Sequence, residues 1–254
     1  MFNDVIPRQV TGNIKENRFI EVDDWNNGKY FNGSDTEKLF NHNLSMQPPS
    51  WYYRTHPVKY TTNSNGYRTN EFDEIDWENS VVLIGCSTTF GIGIDDKDTI
   101  SSQLSRLISL PVINMGIGGS SIQAALHNST ILRNSYPTPK AVVNIWTEYN
   151  RTLYYHQQKV QHLGPWGDND DQGARYLKEW TADDSHGRSH ALLASKISKL
   201  LWESTKYYEC SFFPTSAKIL GCRQLYYKDR ARDVMHPGII TNARAANIIA
   251  NGIN

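Results

Sequence analysis

The stretch Val81–Gly93, "VVLIGCSTTFGIG", begins as an apolar run rich in β-branched residues and ends in small residues around one serine, Ser87. A short continuous apolar run marks a strand buried on both faces, as in a parallel sheet. A chain leaving such a strand through a small-residue turn does so at the strand's carboxyl end, where open parallel sheets bind ligands. Ser87 at that break reads in two ways. It is a nucleophile near the start of the next helix, or a hydroxyl that caps that helix. The segment alone leaves both open.

Working outward, the same texture repeats. "DTISSQLSRLIS" places Ile100, Leu104, Leu107 and Ile108 at helical spacing. "PVINMGI" is a second buried strand, "SSIQAALHNSTILRN" a second helix and "KAVVNIWTEYN" a third strand. This alternation predicts parallel βαβ units with helices on both sheet faces. Further on, "SHALLASKISKLLWES" predicts a helix with Leu193, Ile197, Leu200 and Leu201 inward, and "CSFF" a fourth strand. "GIITNARAANIIANGI" reads as a terminal helix with Ile240, Ala243, Ala246 and Ile249 buried.

Two regions break the rhythm. Residues 1–79 are polar and full of turn signals, yet hold Trp25, Tyr30, Phe31, Trp51, Tyr52, Tyr53 and Tyr67. A disordered tail would be poor in aromatics, so this reads as an irregular extension packed on a core domain of residues 80–254. Residues 151–187, with "GPWGDNDDQG" at their centre, read as an irregular, lid-like insert.

Bulk properties narrow the function. The 254 residues carry 26 basic and 26 acidic side chains, so no nucleic-acid footprint and no attraction to an anionic membrane is expected. No apolar run reaches membrane-span length, and the N-terminus lacks the pattern of a signal peptide, which predicts a cytoplasmic protein. The three cysteines, Cys86, Cys210 and Cys222, lack metal-site spacing and read as buried thiols. No P-loop motif occurs, and "NMGIGGSS" has Ser121 where a dinucleotide fingerprint needs glycine, so no cofactor is expected. The G-x-S-x-G elbow is also missing, because Thr89 stands at its second glycine.

A serine nucleophile needs a base, and the base needs an orienting partner. Two Asp-x-x-His spacings supply candidates. Asp183 and His186 lie in the polar insert, where His186 and His190 would share a helix face and could hold a metal weakly; a solvated helix start is the plainer reading. Asp233 and His236 run straight into the terminal helix, with Pro237 suited to its first turn. A base there would be rigidly held.

Serine after the first strand, glycine after the second, asparagine after the third and a late Asp-x-x-His, in that order, resemble the SGNH, or GDSL-like, hydrolases. The resemblance runs from about Tyr60 to the end, and "NSNGYR" looks like the lead-in of such domains. It implies a three-layer α/β/α sandwich with a central, mostly parallel, flavodoxin-like sheet. It also implies ester hydrolysis through an acyl-enzyme. By position, Ser87 would be the nucleophile, His236 its base and Asp233 the orienter. The N–H groups of Ser87 and Gly119 and the side-chain amide of Asn150 would form the oxyanion hole. Two departures stand out: Gly85-Cys86-Ser87 replaces Gly-Asp-Ser, and Glu148-Tyr149-Asn150-Arg151 replaces Gly-x-Asn-Asp. Glu148 and Arg151 could instead contact substrate. Trp146, Tyr154, Tyr155 and Trp166 near the pocket mouth point to a carbohydrate ester, with small acyl groups such as acetyl removed. An O-acyltransferase on the same scaffold, and a non-catalytic carbohydrate-binding or structural module, are the alternatives.

Overall fold

The computed structural model describes residues 11–13, 18–22, 28–31, 33–156, 159–166 and 171–254. Trp25 and the Gly167–Asp170 part of the insert lie outside them. In chain order the elements are β1 (Thr11–Asn13), β2 (Glu21–Val22), α1 (Glu37–Met46), β3 (Val81–Gly85), α2 (Ser87–Phe90), α3 (Ile100–Ile108), β4 (Val112–Gly116) and α4 (Ile122–Ser135). There follow β5 (Ala141–Trp146), β6 (Thr152–His156), β7 (Lys159–Leu163), α5 (Asp171–Ala182), α6 (Asp184–Leu201), β8 (Lys206–Ser211), α7 (Pro214–Leu220), β9 (Arg223–Gln224) and α8 (Ile239–Ile253).

The central sheet has the order β4-β3-β5-β8-β9, and every pair in it is parallel. Alternate residues of β3 and β5 face opposite cores, as strand geometry dictates. Val82, Ile84 and Val142 pack under α4 and α6; Val81, Leu83, Val143 and Ile145 pack under α3 and α8. The fold is the three-layer α/β/α sandwich expected from the alternation. Because the strands are parallel, their carboxyl ends share one edge.

Several details differ from the sequence pattern. The fourth strand is Lys206–Ser211 rather than "CSFF"; Phe212 and Phe213 already turn off the sheet. On α6 the inward face is made of Gly187, Ala191, Ala194, Ser195 and Ser198, while Leu193 and Leu200 are exposed. Small residues let α6 come close: a Cβ on Gly187 would sit 2.7 Å from the Tyr149 carbonyl oxygen. Leu107 and Ile240 are exposed as well. Helix α8 begins at Ile239 with Gly238 as N-cap, so Pro237 precedes it rather than joining its first turn.

The stretch expected to be irregular contains the hairpin β6–β7 and the helix α5. The hairpin continues into β1 and β2, giving a second, antiparallel sheet of order β2-β1-β7-β6. The first strand of the extension thus pairs with the insert, Gly12 opposite Val160. Short strands separated by about 150 positions leave no pattern that would pair them in advance. Among the described residues no helix is long and apolar enough to cross a membrane.

His162 on β7 is fully buried, and among the described residues neither ring nitrogen has a hydrogen-bond partner. Burial, with the nearby Arg151 charge second, pushes its pKa from 6.5 down to about 3. The unfolded chain therefore binds a proton that the folded chain refuses between those values, and stability falls as pH drops through that window. By pH 5 the loss from this one group is about 2 kcal/mol. Denaturant unfolding at pH 7.5 and pH 5 should show a clearly smaller acid loss in His162→Leu than in the unsubstituted protein; equal losses in both would refute the assignment.

Candidate active site

Strand β3 ends at Gly85, and α2 starts at once with Ser87. The sharp turn is possible because two glycines let backbones touch. A Cβ on Gly85 would lie 2.1 Å from Thr89 Oγ1, and one on Gly116 would lie 2.3 Å from the Phe90 nitrogen. Asn114 on β4 adds a tie, donating from Nδ2 to the Thr89 carbonyl at 3.0 Å. The N-cap of α2 is Cys86, with no side-chain capping bond. Ser87 is inside the helix, and its hydroxyl contacts Cys86 Sγ at 4.0 Å. The capping reading of Ser87 is thereby excluded. No hydrogen bond joins Ser87 Oγ to His236.

The neighbouring strand ends bring the other expected groups to the same edge. Gly85 is in register with Gly116 on β4 and with Ile145 on β5. The turn after β4 is fastened to β3 by Ile117 N and Ser120 Oγ, which both donate to the Gly85 carbonyl at 3.0 and 3.1 Å. Gly119 in that turn has φ +68°, a conformation that favours glycine. Among the described residues the N–H groups of Ser87 and Gly119 and the amide nitrogen of Asn150 have no protein acceptor, and Asn150 Oδ1 is buried without a partner.

Asp233 and His236 form a dyad. Asp233 is fully buried; its Oδ2 lies 2.5 Å from His236 Nδ1, and its Oδ1 accepts from the N–H groups of Met235 and His236 at 3.1 and 3.0 Å. With Nδ1 so occupied, His236 Nε2 is the free nitrogen. Between them Val234 has φ 57°, a left-handed conformation that is rare for a β-branched residue. Such strain persists only where the surroundings enforce it, and it concentrates at functional sites. Downstream the loop is anchored by Asp229, which accepts from Ile240 and Thr241 N–H in the first turn of α8 at 3.0 and 2.8 Å.

Upstream the anchor comes from residues the sequence did not single out. Arg232 is buried and pairs with the fully buried Asp35, Nη2 to Oδ2 at 2.6 Å and Nε to Oδ1 at 3.0 Å. Tyr60 donates to the same Asp35 oxygen at 2.5 Å and accepts from Gly93 N–H at 2.6 Å. Gly93 in turn accepts from Arg232 N–H at 2.9 Å. Arg68, in the "NSNGYR" lead-in, donates to the carbonyls of Gly91 and Ile94 at 2.6 and 2.8 Å and pairs with Asp96. One network from the extension therefore holds both the loop behind Ser87 and the loop that carries Asp233.

The remaining expected contacts divide. Arg151 is buried at the end of β5, its Nε donating to Glu148 at 3.0 Å and its guanidinium lying over the rings of Trp166 and Phe213 at 4.7 and 5.2 Å. Tyr154 points to α5, donating to Gln172 at 3.2 Å. Trp146 is a core residue rather than a mouth residue: it is 1% exposed, and its indole donates to the buried Glu209 at 3.0 Å. Tyr227, absent from the sequence reading, packs against Phe212 with ring centroids 5.4 Å apart, and burial is the chief cause that raises its pKa. Asp183 caps α6 through Ser185 N–H at 2.8 Å and is fully exposed; His186 packs against Trp180. Among the described residues no group of three metal-ligating side chains occurs.

No family model matches the sequence, and none of the curated proteins matches it. Solved structures do. A family 2 carbohydrate esterase of Corynascus thermopiles (Myceliophthora fergusii) is 12% identical with TM-score 0.43, over 69% of this chain and 65% of that one. The acetyl xylan esterase Est2A of Butyrivibrio proteoclasticus is 10% identical with TM-score 0.45, over 70% and 64%. AlinE4, an SGNH-hydrolase family esterase, is 12% identical with TM-score 0.35, over 71% and 97%. The chain spans just under two thirds of the two carbohydrate esterases. These are likenesses of outline.

Removing one member of a buried pair strands the other charge, which costs about 3–5 kcal/mol. Asp35→Ala should lose stability of that order in chemical denaturation, and Asp35→Ala with Arg232→Met should recover most of it. Strict additivity of the two substitutions would show that the pair does not couple.

Proposed function

We propose that the chain is a serine hydrolase of carboxylic esters that removes small acyl groups, such as acetyl, from a carbohydrate. The observation that carries this reading is the Asp233–His236 dyad, 2.5 Å between Oδ2 and Nδ1, on a loop whose Arg232 N–H bonds Gly93 in the turn after Ser87. A buried carboxylate on Nδ1 fixes the tautomer that leaves Nε2 as base. Attack requires the Ser87 hydroxyl to leave the Cys86 thiol and donate to His236 Nε2. His236 takes that proton as Oγ adds to the ester carbonyl, and Asp233 stabilises the imidazolium. The oxyanion is received by the free N–H groups of Ser87 and Gly119 and by the Asn150 amide. Collapse releases the alcohol, protonated by His236, and leaves an acyl-serine. Water, deprotonated by the same nitrogen, then frees the acid.

The carbohydrate part rests on the insert, where the exposed Tyr155 offers a ring face of the kind sugar C–H groups pack on.

Hydrolysis of p-nitrophenyl acetate should fall at least about a thousandfold in Ser87→Ala and in His236→Gln, and roughly a hundredfold in Asn150→Ala. A fluorophosphonate probe should label Ser87 in the folded protein. Unchanged hydrolysis in Ser87→Ala, with no labelling, would instead favour a non-catalytic module.

A further inference from the structure

The extension, the turn at residues 95–98 and the start of α8 border a cavity of about 150 Å³. Tyr52, Tyr53 and His56 line it from the extension, Asp95, Lys97 and Asp98 from the turn, and Ile239 from α8. Sites for drug-sized ligands run to roughly 300–1,000 Å³, so this one suits a single small ring. Its one buried polar residue is Tyr53, 5% exposed. Among the described residues the Tyr53 hydroxyl has no hydrogen-bond partner, yet its oxygen is not one of the sealed, unpaired atoms of the interior. It therefore meets open space, and the cavity is the space that Tyr53 lines. A buried tyrosine hydroxyl ordinarily finds a partner. Here that partner is left for a ligand to supply.

The neighbouring groups differ in what they already hold. Asp95 accepts from the N–H groups of Lys59 and Lys97 at 3.3 and 3.4 Å. Among the described residues the Asp98 carboxylate and the Lys97 ammonium have no hydrogen bond or ion pair. Tyr52 stacks on His56, with ring centroids 3.9 Å apart and planes at 11°, and is still 40% exposed. Tyr53 meets Tyr52 edge-on at 5.3 Å.

We infer that this cavity binds one pyranose ring of a neutral sugar. A sugar hydroxyl both donates and accepts, so one ring can satisfy the Asp98 acceptor together with the Tyr53 and Lys97 donors. Its C–H face packs on the aromatic stack. An organic cation would pair with Asp98 but be repelled by Lys97 and leave that donor empty. An anion would face the carboxylates of Asp95 and Asp98. None of these side chains belongs to the groups proposed to break the ester, so the site goes beyond the esterase reading and holds whether or not Ser87 is the nucleophile.

Saturation-transfer NMR on the full chain tests the site, with methyl glycosides of glucose, galactose, mannose and xylose as ligands and tetramethylammonium as the cationic control. At least one glycoside should bind with a millimolar Kd, and more tightly than tetramethylammonium. Tyr53→Phe, which removes one hydroxyl and keeps the ring, should weaken that binding about three- to tenfold, and Asp98→Asn should weaken it by at least as much. Should Tyr53→Phe fail to fold, Asp98→Asn on the surface turn decides. No glycoside binding, tighter binding of tetramethylammonium than of any glycoside, or undiminished glycoside binding in the folded variants overturns the assignment.

Discussion

The buried ion pair between Arg232 and Asp35 decides where the Asp233–His236 loop sits. Its partners are 197 positions apart, and both side chains are almost wholly withdrawn from water. Such a pair adds little net stability over well-packed apolar residues, because desolvation offsets most of the attraction. Its effect is geometric. With the guanidinium held by Asp35, the Arg232 backbone donates to Gly93 at 2.9 Å and accepts from Asn43 at 3.0 Å. The next residue is Asp233. Tyr60 joins the same carboxylate to Gly93, on the loop that follows Ser87. The loop that follows Ser87 and the loop that carries Asp233 and His236 are therefore registered against each other through one carboxylate from the extension.

The parts of this arrangement that were legible in the sequence are those written locally. Continuous apolar runs gave β3, β4 and β5, and Ser87 stood out as the hydroxyl just past the end of β3, whereas Gly119 and Asn150 were expected only from the family resemblance. Asp233 and His236 were legible because they are three residues apart and precede a helix. What could not be read was long-range. Nothing near Asp35 distinguishes it from a surface aspartate, and Tyr227 sits in an unpatterned loop. Trp146 misled because an aromatic at a strand end has two sides to face. A buried acceptor on the next strand, Glu209, decides between them. Helix α6 misled for a related reason: its leucines are the apolar signal, yet the sheet and α4 need close approach, which alanine, serine and glycine provide.

The sheet edge and the insert draw on different parts of the chain. The groups proposed to break the ester lie at the ends of sheet strands and in the loop before α8, all backed by two apolar cores. At the margin Arg151 stands at the head of the insert with its guanidinium over the Trp166 ring. The insert's hairpin pairs with β1, so the extension supports both: through Asp35 the Asp233–His236 loop, and through β1 the insert.

Cys86 fits this electrostatic layout. Its sulfur is fully buried and meets only hydroxyls, Thr88 Oγ1 at 3.4 Å and Ser87 Oγ at 4.0 Å. A carboxylate at this position would be a second buried anion on the turn that leads to Gly93, where the Asp233 loop is bonded. Two nearby carboxylates in a dry site push one another toward the protonated state. The dyad needs Asp233 ionised to hold the imidazolium. Cysteine fills the turn without adding that carboxylate, and at 4.0 Å its sulfur is only a weak acceptor for the Ser87 hydroxyl.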